Sequence, residues 1–198
     1  VSTSRGPGRR PGSPDTRAAI LDSARGLFAE RGLKGTTIRA VASEAGVDPA
    51  LVHHYFGAKD DLFLAALEIK VDPRQVMAPV IAAGVEAAGE NLMRVVLRVW
   101  DDPEIRLSLL AIVRGVFDRE GQRMVRDGFL GIVLGPVGRG LGLDRADERM
   151  VFVASQVFGL IMLRYVLEVE PLASMPADLV ISTYAPTLQG YFTDDLPS

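Results

Sequence analysis

The chain contains no cysteine. Disulfides, thiolate nucleophiles and cysteine-based zinc sites are therefore excluded, and a reducing compartment fits. Histidine is nearly absent too: His53 and His54 are the only two, and they are adjacent. Neighbouring positions on a helix point in different directions, so no metal site is expected. No apolar run approaches the roughly 18 to 20 residues that cross a bilayer. The longest, from Phe152 to Leu163, contains Gln156 and stops at Arg164. Residues 1–14 carry arginines but no apolar signal core. A cytoplasmic protein with no membrane association is expected. A Gly-rich phosphate loop, a nucleophile elbow and a plausible histidine triad are also missing, so neither an enzyme nor a cofactor is expected.

What is present is a 198-residue chain with 48% hydrophobic and 24% charged residues, enough for a substantial core and one domain plus a small appendage. The net charge of -3 is unevenly spread. Residues 1–59 carry a net charge of +4 and residues 60–198 a net of -7. A basic lobe can present a local nucleic-acid face on an acidic protein, although chance unevenness produces the same pattern. Residues 1–14 are rich in Gly, Pro, Ser and Arg and read as a flexible basic arm. Arg5, Arg9 and Arg10 either reach phosphates or the minor groove, or serve only for solubility.

From residue 15 onward the apolar spacing is helical and no strand alternation persists, which predicts an all-α protein. Ile20, Ala24, Leu27 and Phe28 form the stripe of a first helix that stops at Gly32. Thr36 or Thr37 caps a second, with Ile38, Val41, Ala42 and Ala45 inward. Gly46 permits a tight corner, and Asp48 caps a short third helix with Pro49 in its first position. Further helical segments are expected near 74–84, 88–100, 103–119, 122–137, 145–169 and 177–192, punctuated by X-Pro pairs that include Gly135-Pro136.

The corner between the second and third helices has the makings of a helix-turn-helix, which needs a rigid core so that one helix projects into the major groove. Val41, Ala45, Val47, Val52 and Phe56 can supply that core. Thr37, Tyr55, Lys59 and His53 can donate to phosphates. Ala50 suits a thymine methyl, and Arg39 and His54 can approach base edges. The same residues also suit an ordinary packed corner, which leaves a helical dimer acting as a protein interaction module as the alternative.

Residues 18–67, from AAILDSARGLFAERGLKGTTIRAVASEAGV through DPALVHHYFGAKDDLFLAAL, resemble the tetracycline-repressor-like (TetR) family of bacterial regulators. Phe28, Gly32, Thr37, Ile38, Ala42, Ala45, Gly46, Val47, Phe56, Lys59 and Leu62 carry the likeness. The sequence departs from the family pattern at His53, commonly tyrosine, at Gly57, commonly proline, and at Asp48, commonly serine or threonine. The resemblance implies a three-helix DNA-binding head at residues 15–59 and a larger helical effector-binding and dimerisation domain at residues 60–198. It implies a homodimer on a palindromic double-stranded operator, with repression relieved by a small apolar or amphipathic effector.

For that second domain, Met93, Leu97, Trp100, Arg114, Phe117, Phe129, Phe158, Met162 and Tyr165 are the candidate effector-binding residues, since aromatic and methionine side chains can line an adaptable cavity. The same residues can equally fill a core. Val153, Val157, Leu160 and Ile161, with Leu179, Ala185, Leu188 and Phe192, are the candidates for a four-helix dimer interface, although internal core requires much the same residues. Gly159 and Ala185 are small enough there for close approach.

Overall fold

The computed structural model describes residues 14 to 197. The basic arm with Arg5, Arg9 and Arg10 lies outside the described residues. No strand occurs among those described, and the chain divides into two compact units, the first ending at Glu68 and the second beginning at Ile69.

The first unit is built from α1 (Pro14–Gly35), α2 (Ile38–Glu44), α3 (Pro49–Phe56) and α4 (Lys59–Ala66). Gly32, at φ 69°, breaks the helical path of α1, which only glycine does without strain. The buried Thr36 hydroxyl then lies 2.9 Å from the Gly32 carbonyl and 3.0 Å from that of Leu27, satisfying the frayed end. Ile20, Ala24 and Phe28 are fully buried, and Phe28 meets Phe63 of α4 edge to face at 5.1 Å between ring centres. Arg25 of α1 donates to the Ala66 carbonyl and pairs with Glu68, tying α1 to the end of α4. The boundary expected between residues 59 and 60 is thus corrected. The fourth helix completes the core of the first unit, and the division falls after Glu68.

The second unit contains α5 (Pro73–Ala82), a 3-10 turn (Val85–Ala87), α6 (Ala88–Asp101), α7 (Pro103–Gly115), α8 (Arg119–Arg123), α9 (Leu130–Gly140), α10 (Ala146–Ile161) and α11 (Ala177–Thr193). Asp72-Pro73 and Asp102-Pro103 start helices here, as Asp48-Pro49 does in the first unit. Each aspartate accepts from a backbone N–H in the first turn, and each proline takes the position whose N–H is not needed. A π-helical turn, Met124–Phe129, joins α8 to α9, and another, Met162–Val166, extends α10.

Gly135-Pro136 does not end a helix, contrary to expectation: α9 runs through it to Gly140. Proline removes one ladder hydrogen bond, but burial of Val133 and Val137 on either side of it holds the helix. Helix α10 with its π turn, Ala146–Val166, reaches 21 residues and a mean hydropathy of 1.4, which is long and apolar enough to cross a membrane. The uninterrupted apolar run within it is shorter, because Gln156 and Arg164 interrupt it and an average tolerates single polar residues. The helix buries Met150, Val153, Leu160 and Ile161 among the residues of its own unit.

Helices α6 and α11 pack closely, with Leu92, Met93, Val96 and Leu97 from one and Val180, Ile181, Leu188 and Phe192 from the other in a common core. Arg149 of α10, only 4% exposed, donates to Asp144 and to the Tyr191 and Asp194 carbonyls at the end of α11. A cation at a helix C-terminus meets the negative end of the dipole and the carbonyls left over by the last turn.

Candidate nucleic-acid face and ligand cavity

The α2–α3 corner is set by its caps. The Thr37 hydroxyl accepts from the Ala40 N–H at 3.1 Å and Asp48 from the Ala50 N–H at 2.7 Å. Gly46, at φ 66°, makes the left-handed turn, and the Val47 N–H then bonds to the Ala42 carbonyl at 2.9 Å. Val41 and Val52 are fully buried beneath the corner. This leaves Thr37, Arg39, Ala50, His53 and His54 exposed on the first unit. A short apolar side chain, a guanidinium with no hydrogen-bond partner among the described residues and two imidazoles suit a face that meets both phosphates and base edges.

Two expected phosphate donors are placed differently. The Tyr55 hydroxyl is buried and has no hydrogen-bond partner among the described residues, so it is not offered to a ligand at the surface. Its ring meets those of His54 and Phe56, at 5.6 and 6.1 Å between centres. Lys59 turns its ammonium to the Leu33 and Thr36 carbonyls, at 2.9 and 3.2 Å. Those carbonyls cluster where α1 ends and need donors, so Lys59 clamps the α1–α2 connection and keeps one N–H for anything else.

His53 is constrained as well. Its Nδ1 lies 2.9 Å from the Gly57 carbonyl, and a carbonyl only accepts, so Nδ1 carries the proton. The outer atom is Nε2, an acceptor in the neutral ring and a donor in the charged one. Arg17 sets its guanidinium over the Phe56 ring at 5.2 Å, a support for α3 that apolar periodicity could not reveal.

In the second unit a cavity of about 210 Å³ opens among α5, α6, α7, α9 and α10. Trp100 and Phe158 line it, with aliphatic side chains such as Val96, Leu109, Leu134 and Val153 making most of the wall. The remaining effector candidates stand elsewhere. Met93 and Leu97 fill the packed core on a neighbouring stripe of α6. Arg114 and Phe117 are exposed, Phe117 to 73%, while their neighbours Val113 and Val116 line the cavity. Met162 is half-buried and does not border the cavity. The side chain of Phe129 lies outside the described residues. Tyr165 stacks on Trp100 at 5.4 Å but sends its hydroxyl to Asp101, donating at 2.9 Å. Burial, helped by the negative Asp101, pushes that phenol up to about 12, while Arg164 beside it pulls the other way. Aliphatic stripes on α6 and α9 carried the signal for this wall; a search for aromatics and methionine passes over them.

The expected dimer stripe is mostly turned inward. Val153, Leu160, Ile161, Leu188 and Phe192 are buried, and Val157 borders the cavity. Ala185 faces α6 through its backbone, while Gly159 has open space beside it. A helix that buries one stripe exposes the next, and here that is Val151 (61% exposed), Phe152 and Phe158 on α10 with Leu179 on α11. Phe152 stacks on Tyr191 of α11 at 5.7 Å, which joins the two helices under this apolar surface.

Comparison with known proteins matches both units. The model described as bacterial regulatory proteins, tetR family, matches residues 20–66. That described as tetracyclin repressor-like, C-terminal domain, matches residues 86–192. The HTH-type transcriptional regulator BetI of Brucella anthropi is 46% identical over 54 residues, which is 27% of this chain and 28% of that protein. The chain therefore spans little more than a quarter of the curated relatives it matches. A TetR-family regulator from Streptomyces coelicolor is 40% identical, with 95% of this chain and 100% of that chain covered and a TM-score of 0.49. A transcriptional regulator from Saccharomonospora viridis, solved with choline, is 20% identical, with 86% and 94% covered and a TM-score of 0.41.

Proposed function

The chain belongs to the tetR family of bacterial regulatory proteins, and from that premise we propose that it is a ligand-responsive transcriptional repressor that binds a palindromic operator as a homodimer. The observation that carries the DNA role is the capped corner that leaves Arg39, Ala50, His53 and His54 exposed together. Arg39 and the imidazoles contact phosphates and base edges, Ala50 meets a thymine methyl, and Thr37 adds its hydroxyl proton. Lys59 and Tyr55 hold the head in shape. Binding rather than catalysis is the proposed role, and chromosomal DNA as the target places the protein in the cytoplasm.

The dimer forms through the exposed face of α10 and α11, with Val151, Phe152, Phe158 and Leu179 at its centre. An apolar patch on two adjacent helices, paired by a two-fold axis, gives a four-helix interface of self-complementary surface. A small apolar or amphipathic effector in the cavity favours a dimer whose reading heads no longer match operator spacing. Its effect is limited to its difference in affinity between the two states.

A mobility-shift titration against the DNA flanking the protein's own gene, at roughly 50 to 200 mM salt, tests the reading. Saturable binding that weakens steeply with salt is expected. No shift at the lowest salt, from a protein that is dimeric in solution, would favour a protein interaction module instead.

A further inference from the structure

We infer that the cavity of the second unit takes a neutral, hydrocarbon-like ligand of about ten carbons and rejects charged molecules of the same skeleton. The inference deepens the regulator reading by naming the chemistry of its effector, and rests on that reading only in calling the occupant an effector.

Every residue in the wall is apolar. The single nitrogen among the lining side chains is the indole N–H of Trp100, an uncharged donor that can meet a carbonyl or ether oxygen but cannot neutralise a charge. No ionisable side chain lines the cavity. Asp101, next to Trp100 in the chain, accepts from the Tyr165 hydroxyl. Arg149 is bound to Asp144 and to carbonyls at the end of α11. Arg164 is buried and donates through Nη1 to the Leu172 and Met175 carbonyls; its Nε has no partner among the described residues, and Arg164 does not line the cavity. The cavity is partly open to the surface, but a carboxylate or ammonium carried into its interior would lose its hydration shell and find no counter-ion in the wall, and charges are buried only when paired.

Size supports the same class. A cavity of about 150 Å³ lined by Leu, Ile and Phe stays dry and accepts benzene. The present cavity, at about 210 Å³, is larger and similarly lined, so a compact two- or three-ring hydrocarbon is the scale it fits. Dispersion contacts with a rigid body would supply the affinity, and the shape of the wall its selectivity.

Trp100 is the only tryptophan and borders the cavity, so its emission reports entry directly. The test titrates the full chain, without DNA, with adamantane, 2-adamantanone, adamantane carboxylate and 1-aminoadamantane. The two neutral compounds are expected to change Trp100 emission saturably and to raise Tm, whereas the two ions bind at least about 100-fold more weakly. Val157→Phe, which fills the cavity from α10, should abolish the response while circular dichroism keeps its helical form; Leu134→Phe does the same from α9 if the first variant misfolds. Equal or tighter binding of either ion, or no saturable response to both neutral compounds, overturns the inference. A mobility shift run separately keeps the two readings apart. A protein that binds adamantane but no DNA loses only the regulator reading, and one that binds DNA but prefers an ion loses only this one.

Discussion

A Cβ placed on Gly89 would stand 2.6 Å from the Ala185 carbonyl, so the backbones of α6 and α11 touch where these two residues meet. Gln189, one turn further along α11, exploits the approach. Its amide accepts from the Gly89 N–H and donates to the Val85 carbonyl, both at 2.9 Å, and so closes the first turn of α6. Gly89→Ala is therefore expected to destabilise the protein by about 1 to 3 kcal/mol through overpacking. Urea unfolding followed by circular dichroism measures it, and an unchanged midpoint would show that the helices can separate freely.

Arg149→Met tests the buried clamp at the end of α11. The variant keeps the volume but strips donors from the Tyr191 and Asp194 carbonyls. A loss of about 2 to 4 kcal/mol is expected in the same unfolding experiment, with amide exchange accelerated first in the last turn of α11. Below about 1 kcal/mol the clamp would be ornamental.

Tyr165 gives the second unit an alkaline limit. Its phenol titrates at about 12 in the folded chain against about 10 when unfolded. In that window the folded state holds a proton that the unfolded state has lost. The contribution is therefore complete below pH 10 and disappears as pH rises toward 12. Tyr165→Phe should lower stability at pH 7 by about 1 kcal/mol and flatten the pH slope across that window. Parallel slopes for the two proteins would contradict the assignment.

Within the head, Arg39→Ala and Lys59→Ala should behave differently. Arg39→Ala is expected to weaken operator binding and reduce the salt slope by about 1 unit if it meets a phosphate. Lys59→Ala leaves the Leu33 and Thr36 carbonyls without their donor, so it should cost about 1 to 3 kcal/mol of stability with the smaller effect on salt slope. The reverse pattern would restore Lys59 as a phosphate contact.

Val151→Glu places a charge on the exposed face of α10 without touching the core. The fold should persist while sedimentation shows monomers and operator affinity falls by at least about tenfold. A variant that remains dimeric would move the interface elsewhere.

Much of this was legible in the sequence, because caps and glycines act locally. Thr37, Gly46 and Asp48 announce the corner, and each holds the position its chemistry predicts. Facing is harder. Apolar spacing shows that α10 has a buried stripe but not whether that stripe meets its own core or a second subunit. Val153 and Leu160 therefore read as interface while Val151 and Phe152 passed unremarked. Long polar side chains are harder still, because an exposed spacing says nothing of where the tip returns. Lys59 folds back on two carbonyls, and the Tyr55 hydroxyl ends up buried.

Phe158 lines the cavity and is also 43% exposed on the outer face of α10. One ring thus belongs to two surfaces. A subunit laid against that face would restrain the ring, and an occupant pressing from within would restrain it from the other side. Occupancy and association then become thermodynamically linked, each altering the constant of the other by the same factor. Apparent ligand affinity would consequently vary with protein concentration, and the cell's copy number would enter its dose response.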